Sequence, residues 1–342
     1  MTDSRIEIAD LPAPGRDSAG VQNAAPARPR WQVILVRPEI CTLLLLIGAV
    51  IVGANLSPFF SDLRFVLESS TYYMEFALVA LVLTLVIVSG QIDLSPAATM
   101  ALSACVFAST FQAGLPMALA IPVGLLTGAL LGAFNGLLVV GLQLPSIIAT
   151  IGTLTLYRGL AQVLAGDRSI SGFPEWFVGI DWRTVGIVPY PIIIFVVAAL
   201  ALGVVLGMTV FGRQIYQIGV SEVAARHAGV RVRRIKFLLF VGMGLMSGLA
   251  GLMTASRLAS VRYDLAAGGE LQMVLMVMLG GAYIFGGRGS IAGTFLAAWL
   301  LAIIATGMNV ANIVVTSQLV VMGLLLIFSI IATNAIYART QR

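Results

Sequence analysis

Long apolar runs decide the fold class of this chain before any motif does. From about residue 40 onward the sequence repeats one unit, an uninterrupted apolar stretch followed by a short polar break; YPIIIFVVAALALGVVLGMTV (190–210) is one such stretch. A hydrocarbon layer about 30 Å thick takes roughly 20 residues of helix to cross. The runs are continuous rather than alternating by two, which argues against transmembrane strands. Only 10% of the residues are charged and 59% are hydrophobic, against about 25% charged in soluble domains; mean hydropathy is +1.00. The expectation is an all-α polytopic membrane protein. Ten spans are expected, at about 40–57, 73–91, 95–112, 116–140, 145–164, 190–210, 237–256, 270–286, 291–308 and 313–334. Pro96 and the small residues around it make the third a broken or tilted helix.

Residues 1–36 are rich in Asp, Ala, Pro and Arg without periodicity and read as a disordered tail. The membrane domain is expected over 37–336, with a short C-terminal tail at 337–342. A long polar stretch precedes the first apolar run, which argues against a signal peptide. Basic residues set the orientation. With the N-terminus in the cytoplasm and ten alternating spans, fourteen Arg/Lys fall on the inside and five on the outside, the bias expected of cytoplasmic loops. Both termini are then cytoplasmic. The stretch 165–189, with Trp176 and Trp182, suits a segment lying at the membrane surface.

Several chemistries are excluded early. A single histidine, His227, rules out a His-based metal site or a Ser-His triad, and no metal site is expected. The one lysine, Lys236, lies between Ile235 and Phe237, so there is no Gly-Lys-Ser/Thr phosphate loop. If ATP drives this chain, ATP and magnesium are bound elsewhere. Cys41 and Cys105 fall in apolar runs and read as small buried hydrophobes. Glycines three and four apart in GLLTGALLGAFNG and GMGLMSGLAG predict close helix packing, the alternative being that some are hinges of a moving pathway. An apolar span, a Gly or Pro break and a further span occur at VSGQIDLSPAATM and again at FGGRGSIAGTF, a pattern consistent with two duplicated five-helix halves.

One segment departs from this plan. FGRQIYQIGVSEVAARHAGVRVRR (211–234) carries five arginines and the histidine between two apolar spans. Ser221 is a helix N-cap, and Glu222 at the first position suits the helix dipole. Ala224 and Ala225 favour helix, Arg226 and His227 occupy the last turn, and Gly229 stops it. So short a helix is marginal in water. Either it is an ordinary loop whose arginines set topology and touch anionic lipid, or it is a docking helix held in a partner's groove, with Glu222 and Arg226 on one side.

Four stretches in order resemble the permease subunits of bacterial ABC importers for monosaccharides, the ribose, arabinose, xylose, rhamnose and autoinducer-2 group. They are SGQIDLSPAATMALSA (89–104), NGLLVVGLQLPSIIATIGTLTLYRGLA (135–161), the arginine-rich segment (211–234) and GGRGSIAGTFLAAWLLAIIATGMN (286–309). The resemblance implies that 211–236 is the coupling segment that meets a separate ATPase subunit, and carries that role to Gly219, Ser221, Glu222, Ala224, Ala225, Arg226 and Gly229. It further implies a periplasmic sugar-binding protein, a second copy or a sister permease, surrounding lipid, and no nucleic-acid partner. Two departures stand out: Gln91 replaces the second glycine of Gly-Gly-Ile-Asp-Leu-Ser, and Pro96-Ala97 replace the following Val-Gly.

The polar residues within the spans keep two readings open. Asp93 either caps the helix after Ser95 or belongs to the pathway or its gate. Asn135, Thr150, Thr153 and Thr155 suit either a sugar's hydroxyls or a neighbouring helix. Glu75 snorkels or pairs with an arginine, and Arg158 is expected to snorkel to the outer surface. Arg64, Asp167, Arg168, Asp181, Arg183, Arg262 and Asp264 are candidate contacts for the binding protein. The scarcity of titratable residues in the spans fits poorly with a proton-coupled carrier, which remains the alternative along with a membrane anchor that recruits a soluble partner. A rhamnose-like or pentose sugar is the expected cargo of an inner-membrane importer, with autoinducer-2 as the rival.

Overall fold

The computed structural model describes residues 38–180 and 182–340. The expected tail at 1–36 lies outside them. Each expected apolar run contains a helix: α1 (Pro38–Leu56), α2 with α3 (Leu63–Ser70 and Met74–Val88), α4 (Pro96–Gln112), α5 (Met117–Gly136) and α6 (Ser146–Ala165) in the first part of the chain. A surface helix α7 (Glu175–Val178) precedes α8 (Tyr190–Met208), α9 (Val210–Val220), α10 (Glu222–His227), α11 (Val232–Leu258), α12 (Gly269–Leu279), α13 (Ile291–Val310) and α14 (Val315–Thr340). Eight helical stretches among the described residues are long and apolar enough to cross a membrane. With no water to satisfy it, a spanning backbone must close its own hydrogen bonds, and helices do so.

The third and eighth expected spans fall short of that length. The helix α4 has 17 residues, and α12 has 11, about 16 Å at 1.5 Å per residue. The helix expected over 270–286 therefore ends at Leu279. Gly281, Gly286, Gly287 and Gly289 all have positive φ, a region in which other residues are strained. The C-terminal helix continues to Thr340, beyond the expected edge of the membrane domain. The mixed, polar stretch 211–236 is also more ordered than expected: α9 is a separate helix, and α11 begins at Val232, taking Arg233, Arg234 and Lys236 into its first turns.

Packing places α3 at the centre, with every residue of Met74–Val88 except Phe76 buried. It touches α8, α11, α12 and α13. The helix α11 runs between α5 and α4, and glycines let it approach both. A Cβ on Gly128 would lie 2.4 Å from the Gly244 carbonyl oxygen, and one on Gly132 2.2 Å from that of Phe240. On α11's other flank, a Cβ on Gly251 would meet the Met100 carbonyl oxygen of α4 at 2.4 Å. The close packing expected of these two glycine stretches is present.

One end of the bundle is closed by the long connections. A two-residue strand β1 (Ile170–Ser171) pairs antiparallel with β4 (Ser260–Val261), and β2 (Thr184–Val185) with β3 (Val188–Pro189). Phe173 and Phe177 are buried there and stack around Phe107, while Trp176 and Trp182 remain exposed. The opposite end carries α9 and α10.

Candidate functional site

The site is built around α10. Ser221 has an extended backbone, and its Oγ accepts a hydrogen bond from the Ala224 amide at 3.2 Å. Gly229, at φ +81°, ends the helix, with the Val230 amide returning to the Ala225 carbonyl at 3.0 Å. Both boundaries are those expected from the sequence. Ala225 is the buried contact of this helix, whereas Val223, Ala224, Arg226 and His227 face solvent.

Glu222 is held by two cations. Its Oε1 accepts from the Arg226 guanidinium, and its Oε2 from Lys236 Nζ at 2.5 Å. Lys236 is buried, so this contact ties α10 to the first turns of α11. Burial raises the Glu222 carboxyl, but the hydrogen bond and charge of Lys236, and then those of Arg226, outweigh it and hold the group below the ordinary carboxylate range. Beneath α10 lies a cavity of about 570 Å³, lined by Gln91, Gln143, Ser146, Glu222, Arg226 and Lys236.

The helix α9 was not foreseen. Its signal is Phe211, Ile215 and Ile218, spaced i, i+4 and i+7 on one face; Ile215 and Ile218 are buried. This helix brings Tyr216 and Gly219 against two helix breaks, residues 89–95 between α3 and α4, and residues 280–290 between α12 and α13. The breaks themselves are joined, because the Gly287 amide donates to the Val88 carbonyl at 2.8 Å.

The first break owes its order to neighbouring side chains. Ile92 and Leu94 amides donate to Ser146 Oγ at 3.1 Å and to Thr150 Oγ1 at 3.2 Å, both on the first turns of α6. Asp93 Oδ1 accepts from the Ser95 amide and hydroxyl at 2.9 and 2.7 Å. Ser95 Oγ accepts from Asn135 Nδ2 at 2.7 Å, and the Tyr157 hydroxyl donates between Asn135 Oδ1 and the Leu131 carbonyl, each at 2.9 Å. Thr153 is buried and donates to the Thr150 carbonyl at 3.3 Å. Asp93 and Asn135 are thus joined through Ser95, Thr150 holds the backbone of the same break, and Thr153 bonds only within its own helix. Thr155 is exposed and donates to its own helix. Tyr157 was missed, although Thr150, Thr153 and Tyr157 share one face at i, i+3 and i+7.

At the other end, Glu75 pairs with Arg257 at 2.6 Å, the arginine partner foreseen for it. Arg158 does not simply snorkel. It donates to the Tyr263 and Leu265 carbonyls at 2.8 and 2.7 Å, because these loop carbonyls reach it before solvent does. The loops holding Arg64, Asp167, Arg168, Arg183, Arg262 and Asp264 gather at this end, where Arg64 pairs with Glu68 and Arg262 with Asp264. Asp181 lies outside the described residues.

Residues 65–330 match the family described as branched-chain amino acid transport system / permease component. The chain is 35% identical over 279 residues to the autoinducer 2 import system permease protein LsrD of Photorhabdus luminescens, covering 80% of this chain and 84% of the relative. The protein of that name from Escherichia coli (strain K12) is 34% identical over 309 residues, 89% of this chain and 94% of the relative. No solved structure matches. With apolar helices throughout and a family match covering most of its length, the chain belongs to this permease family: it is a multi-pass inner-membrane permease subunit of an ABC importer.

Proposed function

We propose that this permease passes a monosaccharide-sized polyol, delivered by a periplasmic binding protein, and that an ATPase subunit drives it by gripping α10. The observation that carries the reading is α10 itself. It is a six-residue helix, capped at both ends and clamped at Glu222, that keeps Val223, Arg226 and His227 facing solvent. A helix this short gains little from its own hydrogen bonds, so its fixed shape serves as a rigid knob for a partner. The loops at the far end, with their mixed charges, are the surface offered to the binding protein. A second copy or a sister permease completes the passage.

A rhamnose-like or pentose sugar is the first reading of the cargo. The relatives named for autoinducer 2 import support a second, since that solute is itself a small furanosyl polyol. A passage that leaves selectivity to a separate binding protein needs few charged contacts of its own, which agrees with spans in which Glu75 is spent on Arg257 and Asp93 on Ser95.

The test is affinity purification of the tagged chain from membranes, followed by uptake in vesicles with the genetically paired binding protein. An ATPase should co-purify, and ATP should drive accumulation of labelled L-rhamnose, xylose or autoinducer 2. Uptake by the isolated chain in a proton gradient, with no ATPase recovered, would replace this reading with a secondary carrier.

A further inference from the structure

We propose that Gly219, Gly286 and Gly287, pinned by Tyr216, form a seam that carries movement of α10 into both helix breaks, so that Gly219 acts inward rather than by touching the ATPase. The inference rests on the reading of α10 as the ATPase dock.

The geometry leaves no room for anything but backbone at this point. A Cβ on Gly219 would fall 1.9 Å from the Val88 carbonyl oxygen and 2.3 Å from the Gly287 amide nitrogen. One residue of the α9–α10 junction therefore presses on the first break and the second at once. Gly286 and Gly287 are constrained twice. Their φ values are +89° and +77°, and a Cβ on each would lie 2.7 Å from the Gly90 backbone and 2.9 Å from Val220 Cγ2. The hydrogen bond from Gly287 to Val88 locks the two breaks to each other. One turn before Gly219, the Tyr216 hydroxyl donates to the Gly289 carbonyl at 2.6 Å, which fixes where α9 sits along the second break.

Contrast the other attachment of α10. Glu222 reaches Lys236 through two side chains, a longer link with more rotatable bonds than backbone set against backbone. Backbone in van der Waals contact has no such slack, since packed atoms transmit strain rather than absorb it. A push on α10 thus reaches residues 88–90 and 286–287 first. Residues 88–90 end the central helix α3, whose last carbonyl is held by the Gly287 amide, and 286–287 lie in the connection that leads from the half-length helix α12 to α13. Gly219, Gly286, Gly287 and Tyr216 are positioning residues in this scheme; none needs to meet the solute or the nucleotide.

The experiment uses the full complex in vesicles and measures ATP hydrolysis, ATPase binding and solute uptake separately. The probe is whichever of labelled L-rhamnose, xylose or autoinducer 2 the paired binding protein retains. Gly219→Ala should keep the ATPase bound and hydrolysing while solute carried per ATP falls about tenfold; Tyr216→Phe, which removes one hydroxyl, should lower the same ratio less. Gly48→Ala, where a Cβ meets nothing within 4 Å, should leave it unchanged. Loss of ATPase binding by Gly219→Ala at an unchanged ratio would overturn the proposal and make this glycine a partner contact. If Gly219→Ala fails to reach the membrane, Tyr216→Phe decides alone, and a normal ratio for it sinks the seam. Failure of the underlying reading is seen separately, as absence of ATP-driven uptake by the unsubstituted complex.

Discussion

Glu222 shows how much one side chain can carry on a six-residue helix. Its two oxygens are divided between Arg226 on the same helix and the buried Lys236 on α11. Replacing one member of such a pair leaves the buried charge uncompensated. Glu222→Arg goes further and sets three cations together. We expect the protein to insert at normal levels, because the spans are untouched, while ATP-driven uptake falls about tenfold or more. Quantifying the variant in membranes by immunoblot alongside vesicle uptake checks both halves, and wild-type uptake would refute the role given to this carboxylate.

Among the elements, the pair α5 and α11 depends on the absence of side chains. Gly128 and Gly132 face Gly244 so closely that each helix fits into the other's backbone. Gly132→Leu would have to part the two helices. Overpacking a filled interior costs about 1–3 kcal/mol, and here the obstacle is backbone rather than a side chain that can turn aside. A lowered melting temperature in detergent is the expected result, whereas Gly242→Leu on α11, with nothing within 4 Å of its Cβ, should melt close to the parent. Equal melting of the two variants would show that this contact is not tight in solution.

For the whole molecule, orientation is the property to measure. The arginine bias predicts α10 in the cytoplasm and the β2–β3 hairpin outside. In a background lacking Cys41 and Cys105, Val223→Cys should react with a membrane-impermeant maleimide only after the membrane is opened, and Val185→Cys in intact spheroplasts. The reverse pattern would invert the topology. Much of this architecture was legible because it is local. Apolar length announced the spans, and Ser221 and Gly229 marked α10. The short α12 was misjudged because apolar residues continue past Gly280 and Gly281, where backbone conformation and not hydropathy ends the helix. The meeting of Val88, Gly219 and Gly287 was invisible for a plainer reason: contact between backbones far apart in sequence leaves no side-chain pattern to read. Tyr157 was overlooked because its partner, Asn135, sits on another helix.

The bonds from Asp93 through Ser95 and Asn135 to Tyr157 have a consequence for biogenesis. They tie α4, α5 and α6 into one polar lacework, and the Asn135 amide, whose partners Ser95 and Tyr157 both lie on other segments, would lose both if released singly into hydrocarbon. These three segments are therefore poor solo guests of the lipid phase. The three are expected to settle in the bilayer as a group, with α5 unsatisfied until α6 has arrived.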